Sequence, residues 1–172
     1  MRDKEGTSSY SHNKTSNFIR ESLLKKVLVN PLNVVLHSHT YPGGASSGPG
    51  RLDTISLEQD IKHFYNKVSY QINRKFREAP VMTLVGFIEK SHISGLHAHI
   101  LIEPPEQEEI CIEDFRVLIN TVWPTTRHGK DVKYNCAVKN WAASVLYNCK
   151  SRTKKQPLSE SIVHYGKPYW AS

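Results

Sequence analysis

Two rhythms of apolar residues divide this chain. Between Leu32 and Thr40 the apolar residues Leu32, Val34 and Leu36 fall on even positions, which predicts a strand with one face toward a core. After the loop YPGGASSGPGRLDTI (41–55), the motif Ser56-Leu57-Glu58-Gln59 reads as a capping box. From there Leu57, Ile61, Phe64, Val68, Ile72 and Phe76 recur at helical spacing and predict a long helix, with Pro80 beyond its end. VMTLVGFIE (81–89) predicts one strand of a hairpin, KSHISG with Gly95 its loop, and the histidine-bearing run that follows, Leu96 to Ile102, the second strand. A polar turn, PPEQEE, precedes a second helix from Ile112 to Val122, stopped before Pro124. DVKYNCAV (131–138) predicts a fourth strand, and Asn140 caps a third helix from Trp141 to about Lys150. FIRESLLKKVL (18–28) predicts a short helix after a Ser- and Asn-rich start. The chain therefore divides into a flexible or partly helical arm, 1–30, and one domain, 31–172, of α+β class with a central antiparallel sheet packed with helices. No internal repeat interrupts it.

The hairpin carries the candidate chemistry. Alternate residues of a strand share a face, so His97 and His99 project together, away from Leu96, Ala98, Ile100 and Ile102. Folding the hairpin about Ile93 sets Glu89 opposite His97 on the histidine face. Two imidazoles and a carboxylate converging on one point suit a divalent cation such as Mn²⁺ or Mg²⁺. The competing reading is a hydrogen-bonded surface pair. The apolar run Ile100-Leu101-Ile102 argues against it, because histidines on a buried central strand need partners to offset their desolvation. On the third helix, Trp141, Val145 and Cys149 form one apolar stripe at 100° per residue, and Tyr147 lies about 160° from its middle beside Lys150.

An acidic residue closing one strand, then His-hydrophobic-His on the next, resembles the signature of the HUH endonucleases. These are rolling-circle replication initiators, relaxases and single-strand transposases that nick DNA with a tyrosine. FIEKSHISGLHAHILIE resembles their metal motif in order and spacing. Their downstream helix with Tyr-x-x-Lys is similar to Tyr147-Asn148-Cys149-Lys150, and LNVVLHSHTYP (32–42) loosely matches their upstream strand. The resemblance spans roughly residues 32–150. Related sequences often place the tyrosine one helical turn earlier, where this chain has Ser144, so Tyr134, Tyr165 and Tyr169 remain alternative nucleophiles.

What the resemblance implies is specific. It implies an RRM-like sheet, a divalent metal (Mn²⁺ or Mg²⁺) on Glu89, His97 and His99, and attack by Tyr147 to leave a 5′-phosphotyrosine link. Lys150 would steady the phosphate or the phenolate. The implied partner is single-stranded DNA or an extruded DNA hairpin of a plasmid, phage or other mobile element, in replication initiation or related strand transfer. No G-x-x-x-x-G-K loop occurs, so a helicase would come from a separate protein.

Two other function classes stay open on the sequence. His37-Ser38-His39-Thr40 together with the second His-x-His suggests a two-histidine phosphoesterase, although the second element lacks the hydroxyl residue. An RRM-like module that binds single-stranded nucleic acid without catalysis is the other.

Charge narrows the partner. The 172 residues carry a formal charge of +7, which favours a polyanion through counterion release. Candidate nucleic-acid contacts are Arg127, His128, Lys130, Arg152, Lys154 and Lys155. The three cysteines, Cys111, Cys136 and Cys149, show no paired spacing and read as reduced thiols. No apolar run reaches membrane-spanning length, and the polar start MRDKEGTSSYSHNKTSN is unlike a secretory signal; the expected location is cytoplasmic.

Overall fold

The computed structural model describes residues 20–25, 28, 31–75, 82–91, 95–104, 111–134, 141–149 and 162–166. A helical stretch over 20–25 (α1) precedes β1 (Leu32–Ser38) and the long α2 (Thr54–Lys75). The hairpin β2 (Thr83–Ser91) and β3 (Gly95–Glu103) follows, then α3 (Ile112–Val122), β4 (Gly129–Tyr134), α4 (Trp141–Asn148) and β5 (Ile162–Tyr165). Single 3₁₀ turns occur at Pro42–Gly44 and Trp123–Thr125. The five strands form one antiparallel sheet in the order β4-β1-β3-β2-β5. The protein is thus α+β, as the alternation of periods predicts. No helix among the described residues is long and apolar enough to cross a membrane.

Strand parity sorts the core into two layers. Even residues of the sheet, among them Val34, Leu36, Leu84, Ile88, Ile100 and Ile102, pack under α2 and α3. The stripe Leu57, Ile61, Phe64, Val68 and Ile72 is the buried face of α2, at the predicted spacing. Phe115, Ile119 and Val122 of α3 join it, with Trp123 closing the end against Phe64 in an edge-on contact at 5.8 Å. The odd face is divided. Val85, Phe87 and Leu101 are covered by Leu23 of α1, Leu28 and Val145 of α4. The rest of that face carries Glu89, His97, His99 and His37.

Several boundaries differ from the sequence reading. The start of α2 is Thr54, not Ser56. Asp53 is its cap: one carboxylate oxygen accepts the Ser56 N–H at 2.7 Å, and the Asp53 carbonyl accepts from Leu57. A carboxylate three residues ahead of an exposed N–H competes well with a serine hydroxyl for that role. The first hairpin strand is Thr83–Ser91 rather than 81–89, and Lys90, Ser91 and Gly95, read as loop, pair at the hairpin end as Lys90 with Leu96 and Ser91 with Gly95. The fourth strand begins two residues early, because Gly129 already pairs with Ser38; residues 135–138 of the predicted strand lie outside the described residues, as does Asn140. The edge strand β5, paired with Leu84–Phe87 of β2, was not predicted at all.

Candidate metal centre

The register places Glu89 of β2 opposite His97 of β3, and Phe87 opposite His99. Glu89 Oε2 therefore reaches both imidazoles, 3.5 Å from His99 Nε2 and 3.9 Å from His97 Nε2. One donor atom from each of the three residues lies within 4.8 Å of the others. Two ligands about 2.1 Å from a shared ion stand roughly 3–3.6 Å apart, so the three need shift only slightly to close on one. The histidines are 7% and 9% exposed, and the Glu89 side chain 20%. Solvent or substrate therefore has access to the cluster mainly from the carboxylate side.

Local structure prepares His97 for ligation. Its Nδ1 lies 3.2 Å from the Gly95 carbonyl oxygen. A carbonyl only accepts, so Nδ1 carries the proton and Nε2 keeps its lone pair toward the cluster. Gly95 itself has φ +67°, the left-handed conformation that suits glycine at the turn into β3. Burial lowers the His97 pKa, with the Gly95 hydrogen bond opposing the shift and His99 adding to it, so the ring favours the neutral form a ligand requires.

A third histidine borders the cluster. His37 of β1 is the cross-strand partner of His97, and their rings stack with centroids 6.0 Å apart and planes at 16°. Burial lowers its pKa, while Asp131 of β4 pulls in the opposite direction. The strand is held there by Trp123, whose Nε1–H donates to the His37 carbonyl at 2.7 Å. Strand alternation, which sets His37 apart from Leu36, is the sequence signal that identifies it. His39 instead leaves the sheet: its N–H donates to the His128 carbonyl, and its ring lies against Gly44.

Of the sequence candidates, Glu89, His97 and His99 come together. Tyr147 lies on α4, and the helix packs on the histidine face through Val145 and Cys149, two of the three residues of the predicted stripe. The Tyr147 side chain falls outside the described residues, as do Lys150, Arg152, Lys154, Lys155 and Tyr169. Tyr134 and Tyr165 are on the opposite side of the sheet. Their hydroxyls donate to the carbonyls of Arg116 on α3 and Glu58 on α2, and burial raises both pKa values.

Arg127 and Lys130 are exposed, as a contact with nucleic acid requires. His128 is not. It is 1% exposed, with Nδ1 2.7 Å from Asp60 Oδ2 and Nε2 2.8 Å from the Gly50 carbonyl oxygen, and it belongs to the interior. Cys111 is a free, exposed thiol, and its Sγ caps α3 by accepting the Asp114 N–H. No family model, curated protein or solved structure matches this chain.

Proposed function

We propose that the protein is a metal-dependent endonuclease that nicks single-stranded DNA through a tyrosine, in the manner of the HUH nucleases. The observation that carries this reading is the convergence of Glu89, His97 and His99 on the one sheet face that α4, the helix bearing Tyr147, also covers. The succession β1-α2-β2-β3-α3-β4, with β4-β1-β3-β2 adjacent in the sheet, is a split βαβ arrangement and supports an RRM-like fold.

Glu89, His97 and His99 would hold a divalent cation, Mn²⁺ or Mg²⁺, which would supply positive charge to offset the charge developing on the scissile phosphate. Glu89, the most exposed of the three side chains at 20%, marks the side from which the phosphate approaches the cluster. The Tyr147 phenol loses its proton as its oxygen attacks phosphorus. The P–O3′ bond breaks, the 3′ oxygen leaves as a hydroxyl, and the 5′ phosphate stays on the tyrosine. Lys150 steadies the phosphate charge. Because one phosphodiester is exchanged for another, the strand can be rejoined.

The alternatives draw less support. A base-stacking module needs exposed aromatics, and Phe87, the cross-strand partner of His99, is fully buried in the second apolar layer. Two-histidine phosphoester chemistry needs a hydroxyl two residues beyond each histidine, where His37 and His97 are followed by His39 and His99. The test is incubation with labelled single-stranded DNA and Mn²⁺. A covalent protein–DNA band, lost in EDTA and in Tyr147→Phe, is expected, with mass spectrometry placing the phosphate on Tyr147. Cleavage that persists in EDTA, or no cleavage of any single strand offered, overturns the reading.

A further inference from the structure

On the face of the sheet opposite the metal cluster, a groove of about 690 Å³ runs between α2 and α3. Lys67, Tyr70, Gln71 and Arg74 of α2 form one wall; Thr121 and Val122 of α3, with Thr125 just beyond it, form the other. Lys67 spans the groove, its Nζ donating to the Thr125 carbonyl and hydroxyl at 3.3 and 3.0 Å. Tyr70 is 65% exposed and Val117, one turn before Thr121 on α3, is 63% exposed. They are two of the four large apolar side chains that stand exposed among the described residues. Glu113 and Asp114, exposed in the first turn of α3, form no ion pair among the described residues, and neither do Lys67 and Arg74.

Single exposed apolar residues are ordinary on a protein surface. Their order along α3 is what points to a partner. At 100° per residue, with Val117 pointing straight out from the core, Asp114 lies about 60° to one side and Thr121 about 40° to the same side. Thr121 lines the groove, so Asp114 is on the groove side of the helix. A second copy turned about a two-fold axis at Val117 runs its α3 antiparallel to the first and keeps its groove on that same side. Val117 then meets Val117, and the acidic first turn of each copy meets Thr121 and the cationic groove of the other. Such self-complementarity is the requirement of an isologous dimer.

We propose that the α2–α3 layer is the interface of a symmetric dimer of this chain, with Val117 at the axis and Glu113 and Asp114 of each copy set against Lys67 and Arg74 of the other. The occupant is a second copy and not a polyanion, because a polyanion would be repelled by the acidic turn that shares the face. Ion pairs at a solvated rim contribute little each, so charge fixes the register of the dimer more than its strength. With the helix layers facing each other, the two histidine faces point outward and both metal clusters stay open.

The test is sedimentation equilibrium of the full chain at concentrations up to about 200 μM, enough to populate a dimer of micromolar affinity. The wild type should show the dimer mass. Val117→Glu sets two like charges together at the axis and should weaken association about tenfold or more. Glu113→Lys with Asp114→Lys should do the same, as should Lys67→Glu with Arg74→Glu. An equimolar mixture of these two double variants should dimerise within about threefold of the wild type, because one contact of the mixed pair is native and the other is reversed in sense. Circular dichroism checks each fold, and a mixture that dimerises shows by itself that both variants are folded.

A monomer mass at every concentration, double variants that dimerise like the wild type, or a mixture that stays monomeric overturns the interface. Masses that grow past the dimer replace the two-fold by head-to-tail contacts and overturn it too. A monomer that loses affinity for single-stranded DNA on Lys67→Glu with Arg74→Glu assigns the groove to nucleic acid instead.

Discussion

Asp60 Oδ2 and His128 Nδ1 lie 2.7 Å apart with both side chains buried, although 68 residues separate them in the chain. The same carboxylate accepts the backbone N–H groups of Arg127 and His128, and His128 Nε2 faces the Gly50 carbonyl. One side-chain pair thus ties α2, the loop before it and the entry to β4. Asp60→Ala strands three donors in the interior and should cost about 2–3 kcal/mol. For a domain of this size that lowers Tm by roughly 5–10 °C, read by thermal unfolding. His128→Ala should also destabilise, yet folded variant protein should bind single-stranded DNA as tightly as the wild type. A selective loss of DNA affinity would return His128 to the surface role expected from the sequence.

At the cluster, His97→Ala and His99→Ala should each abolish Mn²⁺ binding measured by calorimetry, and covalent nicking with it. Glu89→Gln retains an oxygen but not the charge, so it should weaken binding without removing it. None of the three side chains belongs to either apolar cluster among the described residues, and circular dichroism should show native content in each variant. Full-strength Mn²⁺ binding by His99→Ala would remove the cluster as the site.

The nucleophile can be separated from the other tyrosines. Tyr134→Phe and Tyr165→Phe remove hydroxyls that face the helices, and both variants should still form the covalent DNA adduct, whereas Tyr147→Phe should not. Loss of the adduct in Tyr165→Phe with the fold intact would move the nucleophile to the other side of the sheet.

Burial, reinforced by Glu58, pushes the Tyr165 pKa up to about 12, against about 10 in an unfolded chain. The folded state therefore holds the phenol proton more tightly than the unfolded one. The stability linked to it is complete below about pH 10 and is lost as pH rises through about 12. Ultraviolet difference titration should show one phenol ionising late, and Tyr165→Phe should flatten the fall of stability over that alkaline range. An unchanged alkaline profile would contradict this.

Gly86 is the point where β5 closes on β2. A methyl group there would stand 2.7 Å from Val163 Cγ2, closer than packed atoms tolerate. Gly86→Ala should cost about 1–3 kcal/mol in denaturant unfolding through overpacking. Val163→Ala should recover part of that loss in the double variant, a non-additivity expected only for residues in contact. Strict additivity would show that the strain lies elsewhere.

Much of the candidate site was legible in the chain because its geometry is local. A period of two along GLHAHILIE and a hairpin about Ile93 suffice to set Glu89, His97 and His99 on one face, and the pairing follows that register. The helical period likewise identified the buried stripe of α2 and the packed positions Val145 and Cys149 of α4. What only the tertiary structure decided depends on partners far off in sequence. His128 has the composition of a surface contact, and its burial comes from Asp60 on another element. The α2 cap moved to Asp53 because the competing oxygen lay just outside the motif that was read. β5 is four residues long, too short for a period to register, and exists through pairing with β2. The groove between α2 and α3 brings Lys67 and Arg74 beside Thr121 and Thr125, which meet only once both helices pack on the sheet. Periodicity records which way a side chain faces; what it meets there is set by the long-range pairing of charges, strands and volumes, and that pairing leaves no local trace.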